Sequence, residues 1–128
     1  MAILHVEDHA ATRDVVRQAL KANGIAVVSV DGVDAAKRVI AEGVDVAGAL
    51  VDVRLGDGSG LELYEWLVAH RPHLAARVAF VSGGGTDVAR RVAAMGRPVL
   101  EKPFELADLV RLATRWERGD DLSPGTAG

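Results

Sequence analysis

The stretch that decides the fold is Val46-Ala47-Gly48-Ala49-Leu50-Val51-Asp52, an unbroken apolar run that ends on a carboxylate. A continuous apolar run, rather than an alternating one, is typical of a strand buried on both faces of a parallel sheet. An acidic side chain directly after such a strand stands at its carboxyl end, where ligands bind in open sheets of this kind. The run therefore predicts a central strand and places Asp52 at a site.

Four more apolar runs are predicted to be strands, and they cover residues 3–6, 25–30, 78–81 and 99–100. Segments with the periodicity of amphipathic helices alternate with the strands, and they lie near residues 15–20, 35–40, 63–68, 88–95 and 106–116. Strands and helices that alternate five times build a parallel sheet covered by helices on both faces. The predicted fold class is therefore α/β.

The composition limits the class of protein. A chain of 128 residues with 49% hydrophobic content is enough for one domain and one core, and the absence of cysteine excludes disulfides, thiol catalysis and cysteine-bound zinc. The net charge of −3 argues against nucleic acid as a direct partner, and the late arginines are interpreted as solvated helix faces. We expect a cytoplasmic protein with no membrane contact, because no apolar stretch approaches the roughly 18 residues of a span.

Each remaining strand on the site side also ends on a polar group: Glu7-Asp8 follows the first, Ser82 the fourth and Lys102 the fifth. The carboxyl ends of parallel strands lie along one edge, so these groups should converge with Asp52. Three carboxylates brought together repel one another unless a cation sits among them, and oxygen ligands of this kind suit Mg²⁺. The pattern predicts a metal site and a phosphoryl ligand.

Each of these residues has a plainer interpretation when it is taken alone. Asp8 could be the N-cap of the helix that begins near residue 10, and Ser82 could be an ordinary loop serine. Lys102 could extend past the sheet edge into solvent. However, it is one of only three lysines against twelve arginines, and an ammonium suits a compact phosphate or carboxylate contact. The four positions together favour a functional site.

At these residues the chain resembles the receiver domains of two-component response regulators, the CheY-like group, over about residues 2–117. The motifs that carry the resemblance are Glu7-Asp8, Asp52 with Leu55 and Gly60 behind it, Ser82-Gly83, and Lys102-Pro103-Phe104. The resemblance implies a flavodoxin-like, doubly wound, five-stranded parallel sheet of order 2-1-3-4-5 with five helices. Residues 1–118 would form the receiver domain, and we expect the tail, residues 119–128, to be disordered.

The resemblance also implies a role for each site residue. Asp52 would accept a phosphoryl group from a phosphohistidine on a sensor histidine kinase or a histidine phosphotransfer protein. Asp8, Asp52 and the backbone carbonyl of Arg54 would bind Mg²⁺, and Glu7 would act through a coordinated water. Lys102 would pair with Asp52 at rest and with the phosphoryl group afterwards, and Ser82 would bond a phosphoryl oxygen. The Lys102-Pro103 peptide would be cis.

Three positions depart from the usual family pattern. Glu7 replaces an aspartate and Gly56 replaces a proline, and both changes keep the essential chemistry. Val99 stands where the family usually has a tyrosine or phenylalanine that turns inward after phosphorylation. We therefore expect a weaker or differently routed response on the face built from residues 86–95, Val99 and the last helix.

Other functions compete with this interpretation. A constitutive protein-interaction module could keep the site without being phosphorylated. A flavodoxin-like cofactor binder is disfavoured, because the acidic loop Asp8-His9-Ala10-Ala11 would repel a phosphate. An aspartyl phosphatase is disfavoured because Asp52-Val53-Arg54 lacks a second acid two residues on. The downstream protein target stays open. Separately from that target, a second copy of this chain is a candidate partner in a homodimer. The sequence fits either a stand-alone regulator or part of a larger protein.

Overall fold

The computed structural model describes residues 2–83, 90–92, 94–102 and 104–119. The strands in these residues are β1 Ala2–Val6, β2 Val27–Val30, β3 Val46–Asp52, β4 Arg54–Leu55, β5 Gly58–Ser59, β6 Val78–Ser82 and β7 Val99–Glu101. The helices are α1 Ala10–Ala22, α2 Val33–Ala41, α3 Gly60–His70, α4 Pro72–Ala75 and α5 Leu106–Glu117. None of these helices combines the length and hydropathy that a membrane span requires.

The main sheet has five parallel strands in the order β2-β1-β3-β6-β7. The strands β6 and β7 are the fourth and fifth of this sheet, so the order confirms the predicted doubly wound topology 2-1-3-4-5. The strands β4 and β5 do not belong to the main sheet and form a short antiparallel hairpin after β3. The strand order reverses between β1 and β3, which pair directly from Ile3 with Gly48 to Val6 with Val51. The polar residues that follow these two strands therefore lie side by side at the switch point.

Two hydrophobic clusters lie on opposite faces of the sheet. One contains Leu4, Val51 and Phe80 together with buried side chains of α2 and α3. The other contains Ile3 and Leu50 together with buried side chains of α1 and α5. The central strand β3 is buried along its length except for its first residue, so the continuous apolar run is explained by helices on both of its faces.

The structure adds one helix to the predicted set. The short helix α4 follows α3, so His70 ends α3 and His73 lies in α4. Pro72 occupies the first turn of α4, where its missing N–H costs nothing. Residues 90–92 and 94 are helical, as expected. Residue 95 lies in a turn. Residues 88, 89 and 93 of that predicted helix, the peptide to Pro103 and the tail after residue 119 lie outside the described residues.

Asp57 holds the turn after β3 against helix α2. Its carboxylate accepts hydrogen bonds from the backbone N–H groups of Val33, at 2.9 Å, and Asp34, at 3.1 Å. These bonds lower the pKa of Asp57, because they favour the charged carboxylate. Asp57 thus caps a helix that begins 24 residues earlier in the chain, where Gly32 offers no side chain of its own.

Gly48 has a steric role in the middle of β3. A Cβ at this position would lie 2.4 Å from the ring of Trp116, which is fully buried in the cluster between α1 and α5. The absence of a side chain therefore lets the indole of α5 rest directly on the central strand. This contact explains why a glycine interrupts an otherwise β-favouring run.

We expect Gly48→Ala to lower the free energy of unfolding by about 1–3 kcal/mol, because the added methyl overpacks the contact with Trp116. Gly56→Ala is the matched control, since a Cβ there meets nothing within 4 Å, and it should change stability by less than about 0.5 kcal/mol. Urea denaturation followed by tryptophan fluorescence measures both. Equal stability of the two variants would contradict the proposed contact.

Candidate phosphoacceptor and metal site

The polar groups that follow four strands converge on one cleft. The cleft has a volume of about 390 Å³, and its lining includes Asp8, His9, Asp52, Ser82 and Lys102. These residues follow β1, β3, β6 and β7, or end them, so the cleft lies at the carboxyl edge of the sheet. The predicted convergence is therefore what the structure shows.

Lys102 bridges two carboxylates. Its Nζ donates to Asp52 Oδ2 at 2.9 Å and to Glu7 Oε1 at 3.1 Å. Glu7 is only 1% exposed and Asp52 only 6%, whereas the lysine side chain is 31% exposed and reaches them from the cleft. One ammonium thus neutralises part of the charge of two nearly buried acids. The sequence predicted a cation among the carboxylates, and Lys102 supplies part of that positive charge.

The backbone around Asp52 fixes its direction. The second carboxylate oxygen, Oδ1, accepts a hydrogen bond from the N–H of Arg54 at 3.1 Å. Behind the acid, Gly60 begins α3 so close to β3 that a Cβ would lie 2.3 Å from the Asp52 carbonyl oxygen. Any side chain at Gly60 would therefore displace the backbone that carries the acid. Both contacts hold the carboxylate at the floor of the cleft.

Two side chains of this cluster, Glu7 and Lys102, have shifted pKa values. Burial, together with the hydrogen bond and charge of Asp52, raises the pKa of Glu7. Burial alone would lower the pKa of Lys102, but its hydrogen bonds to Asp52 and Glu7 raise it overall. Lys102 therefore stays charged at neutral pH. The charged form of Glu7 is disfavoured by burial and by the neighbouring Asp52 carboxylate, and a second cation at the site would make that charged form more favourable.

The loop after β1 has three consecutive side chains with potential metal-ligand atoms. Ligand atoms of Glu7, Asp8 and His9 all lie within 4.8 Å of one another. The N-cap of α1 is His9, so the interpretation of Asp8 as that N-cap is wrong. Arg13 anchors the loop by donating to the Glu7 carbonyl oxygen at 2.7 Å. Sequence reasoning missed both His9 and Arg13, although the position of His9 directly after two acids was a usable signal.

Ser82 and Val99 lie on β6 and β7, on the side of Asp52 opposite to β1. Ser82 ends β6, is 4% exposed, and its carbonyl oxygen accepts the N–H of Lys102 at 2.8 Å. Val99 pairs with Phe80 in the sheet and packs, half-buried, against the cluster under α2 and α3. Ser82 therefore sets the backbone position of the lysine, while Val99 contributes only a small aliphatic contact.

A buried histidine lies beneath the site. His5 is in β1 and is 2% exposed, and burial lowers its pKa to about 4 although the charge of Asp52 acts in the opposite direction. Among the described residues, its Nδ1 has no hydrogen-bond partner, and the same holds for the hydroxyl of Ser29 on the neighbouring strand. His5 is therefore neutral at physiological pH and adds no charge to the acidic cluster.

Comparison with known proteins identifies the family of this chain. Residues 3–114 match the family described as response regulator receiver domain, and the chain therefore belongs to that family. The match covers every residue that lines the cleft and every buried residue of the two hydrophobic clusters except Trp116.

Individual relatives cover the same region. A response regulator receiver protein from Pseudomonas putida is 29% identical, with a TM-score of 0.80 over 89% of this chain and 95% of its own. The receiver domain of NtrX from Brucella abortus is 26% identical, with a TM-score of 0.80 over 92% and 99% of the two chains. A curated Thermotoga maritima protein named cyclic di-GMP phosphodiesterase is 34% identical over 88% of this chain. The match spans only 29% of that longer protein, so its name says nothing of what this chain does.

The raised pKa of Glu7 predicts a pH effect on stability. Folding favours the protonated form, so the stability that Glu7 contributes is fully present below its ordinary value of 4.5 and is lost as pH rises through the raised value. In EDTA, Glu7→Gln should therefore gain stability relative to the wild type as pH rises from 4 to 8. Thermal melting at each pH measures the difference.

When the EDTA is replaced by an excess of a divalent cation, the wild type should be stabilised more than Glu7→Gln, because the variant offers one negative charge less. A Tm difference between the two proteins that is constant from pH 4 to 8 in EDTA would contradict a raised pKa of Glu7 in the folded state.

Proposed function

We propose that this chain is a phosphoacceptor switch in a two-component phosphorelay. Asp52 takes a phosphoryl group from a phosphohistidine on a sensor histidine kinase or a histidine phosphotransfer protein. The phosphorylated form then signals to a protein partner through a conformational change. The chain acts as a signalling domain and promotes only its own phosphorylation and dephosphorylation.

One observation carries this proposal: a nearly buried aspartate, held by a lysine, faces an open cleft beside a second and third carboxylate. A structural aspartate needs no cleft, and a buried ion pair that serves stability alone needs no further acids at its side. Membership in the receiver family supports the same role for Asp52. A constitutive interaction module has the same fold, but among the described residues no contact favours it over phosphoacceptance.

The residues at the site fit a magnesium ion. Asp8 and Asp52 are carboxylates that line the cleft, and Arg54 lines it as well. Glu7 is buried behind them and is not part of the cleft lining, which suits contact through a water. When bound, Mg²⁺ would offset the repulsion between the incoming phosphoryl group and the acceptor.

The chemistry asks the chain for position and charge rather than for covalent machinery. A carboxylate oxygen of Asp52 is the nucleophile: an O–P bond forms while the P–N bond of the phosphohistidine breaks, and the imidazole leaves with the electron pair of that bond. Lys102 releases its hold on Asp52 and pairs with the charged phosphoryl oxygens. Ser82, at the end of β6, donates its hydroxyl to one of these oxygens.

The response of the domain differs from the usual route. Val99 has no ring to turn inward, so the signal is carried by backbone shifts near Ser82 and Lys102. These residues are joined directly, since the N–H of Lys102 donates to the Ser82 carbonyl. A phosphoryl group that pulls on both side chains therefore pulls on β6 and β7 together, and the face beside β7 changes for a partner.

We expect intact mass to show the gain of one phosphoryl group when the wild type is incubated with Mg²⁺ and acetyl phosphate. Asp52→Asn should show no gain, because the variant lacks the nucleophile. Asp31→Asn is the matched control, because Asp31 is an exposed acid at the same edge of the sheet, after β2. It should be phosphorylated like the wild type.

The outcomes separate the two candidate functions. Equal gain in the wild type and in Asp52→Asn would move the acceptor to another residue. No gain in the wild type, either from acetyl phosphate or from a phosphorylated histidine phosphotransfer protein, together with no Mg²⁺ binding by calorimetry, would favour the constitutive interaction module.

We also expect phosphorylation to change backbone amide chemical shifts between residues 83 and 118, because the signal leaves through that segment. Two-dimensional NMR of the wild type before and after addition of acetyl phosphate measures these shifts, with Asp52→Asn as the control. Unchanged shifts in a wild type that mass spectrometry shows to be phosphorylated would contradict the proposed switch.

A further inference from the structure

The loop after β1 offers a nitrogen ligand that the proposed Mg²⁺ site does not need. Nδ1 of His9 lies 3.1 Å from Asp8 Oδ1 and 3.6 Å from Glu7 Oε2. The histidine side chain is 74% exposed and lines the same cleft as Asp52. As the N-cap of α1 it makes no capping hydrogen bond with its side chain, so within the described residues the imidazole is not used to begin the helix.

We infer that His9 is a direct ligand of the cation at this site, and that the site therefore prefers divalent transition metals such as Mn²⁺ over Mg²⁺. The inference rests on the proposed function, because it takes the metal position beside Asp52 from it. It goes further by naming the class of cation that the chain selects.

The distances fit this inference. Ligands about 2.1 Å from a metal in octahedral geometry lie about 3.0 Å apart when they are neighbours. The 3.1 Å between Asp8 Oδ1 and His9 Nδ1 matches such an edge. His9 Nδ1 and the carboxylate can therefore bind one ion with little change of side-chain position.

The ligand chemistry decides the preference. Mg²⁺ binds oxygen ligands and keeps several waters, whereas imidazole nitrogen suits the first-row transition metals. A carboxylate site with one added imidazole thus gains affinity for Mn²⁺ and the metals after it, while its affinity for Mg²⁺ changes little. The loop has a fixed shape, because Arg13 holds the Glu7 carbonyl and the N–H of His9 points toward Glu7 Oε2 at 3.5 Å.

The test uses Mn²⁺ as the probe and reads the ligand directly. Electron spin-echo envelope modulation of Mn²⁺ bound to the wild type should show the ¹⁴N coupling of a directly bound imidazole. The coupling should be lost in His9→Ala and in His9→Gln, which keeps a polar side chain but has no ring nitrogen. It should be retained in His73→Ala, the matched control, because His73 is exposed on α4, away from the cleft.

Calorimetry gives the second readout. His9→Ala should lower the affinity for Mn²⁺ by roughly 10- to 100-fold, since even indirect partners of a metal ligand have effects of that size. The affinity for Mg²⁺ should fall much less, so the ratio of the two affinities drops in the variant. An unchanged ratio would overturn the inference.

The remaining outcomes distinguish this inference from the proposed function. Mn²⁺ binding without a ¹⁴N coupling, or with a coupling that persists in His9→Ala, would show that His9 only pairs with Asp8. If the wild type is nevertheless phosphorylated on Asp52 with Mg²⁺, the proposed function stands. A wild type that binds neither metal and accepts no phosphoryl group would overturn both.

Discussion

Lys102 offsets the electrostatic repulsion between the carboxylates of Asp52 and Glu7. Its ammonium lies within hydrogen-bond distance of both Asp52 and Glu7, two carboxylates that are almost completely removed from water. Burying one unpaired carboxylate is already costly, and burying two side by side is costlier still. Because one positive charge serves two negative ones, the cluster keeps a net negative charge and stays ready for a cation or a phosphoryl group. The folded state therefore stores, at one edge of the sheet, the charge imbalance that the proposed function uses.

The positions of these charges depend on backbone packing more than on the side chains themselves. Gly60 lets α3 begin against the carbonyl of Asp52, and the N–H of Arg54 fixes one of its carboxylate oxygens. Asp57 ties the same turn to the start of α2. The turn after the acceptor is thereby connected to helices on one face of the sheet. The other face is anchored by Trp116, whose indole rests on Gly48 of the same central strand. The acceptor thus stands on a strand that is held from both faces.

Two departures from the usual family pattern affect different parts of this domain. Val99 has no ring, so in the proposed switch the response would pass through the backbone link between Ser82 and Lys102. Glu7 extends the first acid by one methylene, which lets it reach Lys102 and also face His9. The longer acid therefore contacts both Lys102 and the loop that carries His9.

Local pattern was sufficient for the architecture and for the convergence of four polar residues on one cleft. Apolar runs, helical periods and the polar residue after each strand predicted the five-stranded parallel sheet and the convergence of Asp8, Asp52, Ser82 and Lys102, because these signals depend only on residues near one another in the chain. The family resemblance, carried by the same residues, was confirmed.

Tertiary structure alone decided the partners. Lys102 bonds to a glutamate 95 residues away, and Asp57 caps a helix 24 residues earlier in the chain. Gly48 makes room for a tryptophan of the last helix, and the ring of His9 lies beside the Asp8 carboxylate. These facts depend on distances through space, which arise only after both faces of the sheet are covered, and no local signal in the chain encodes them.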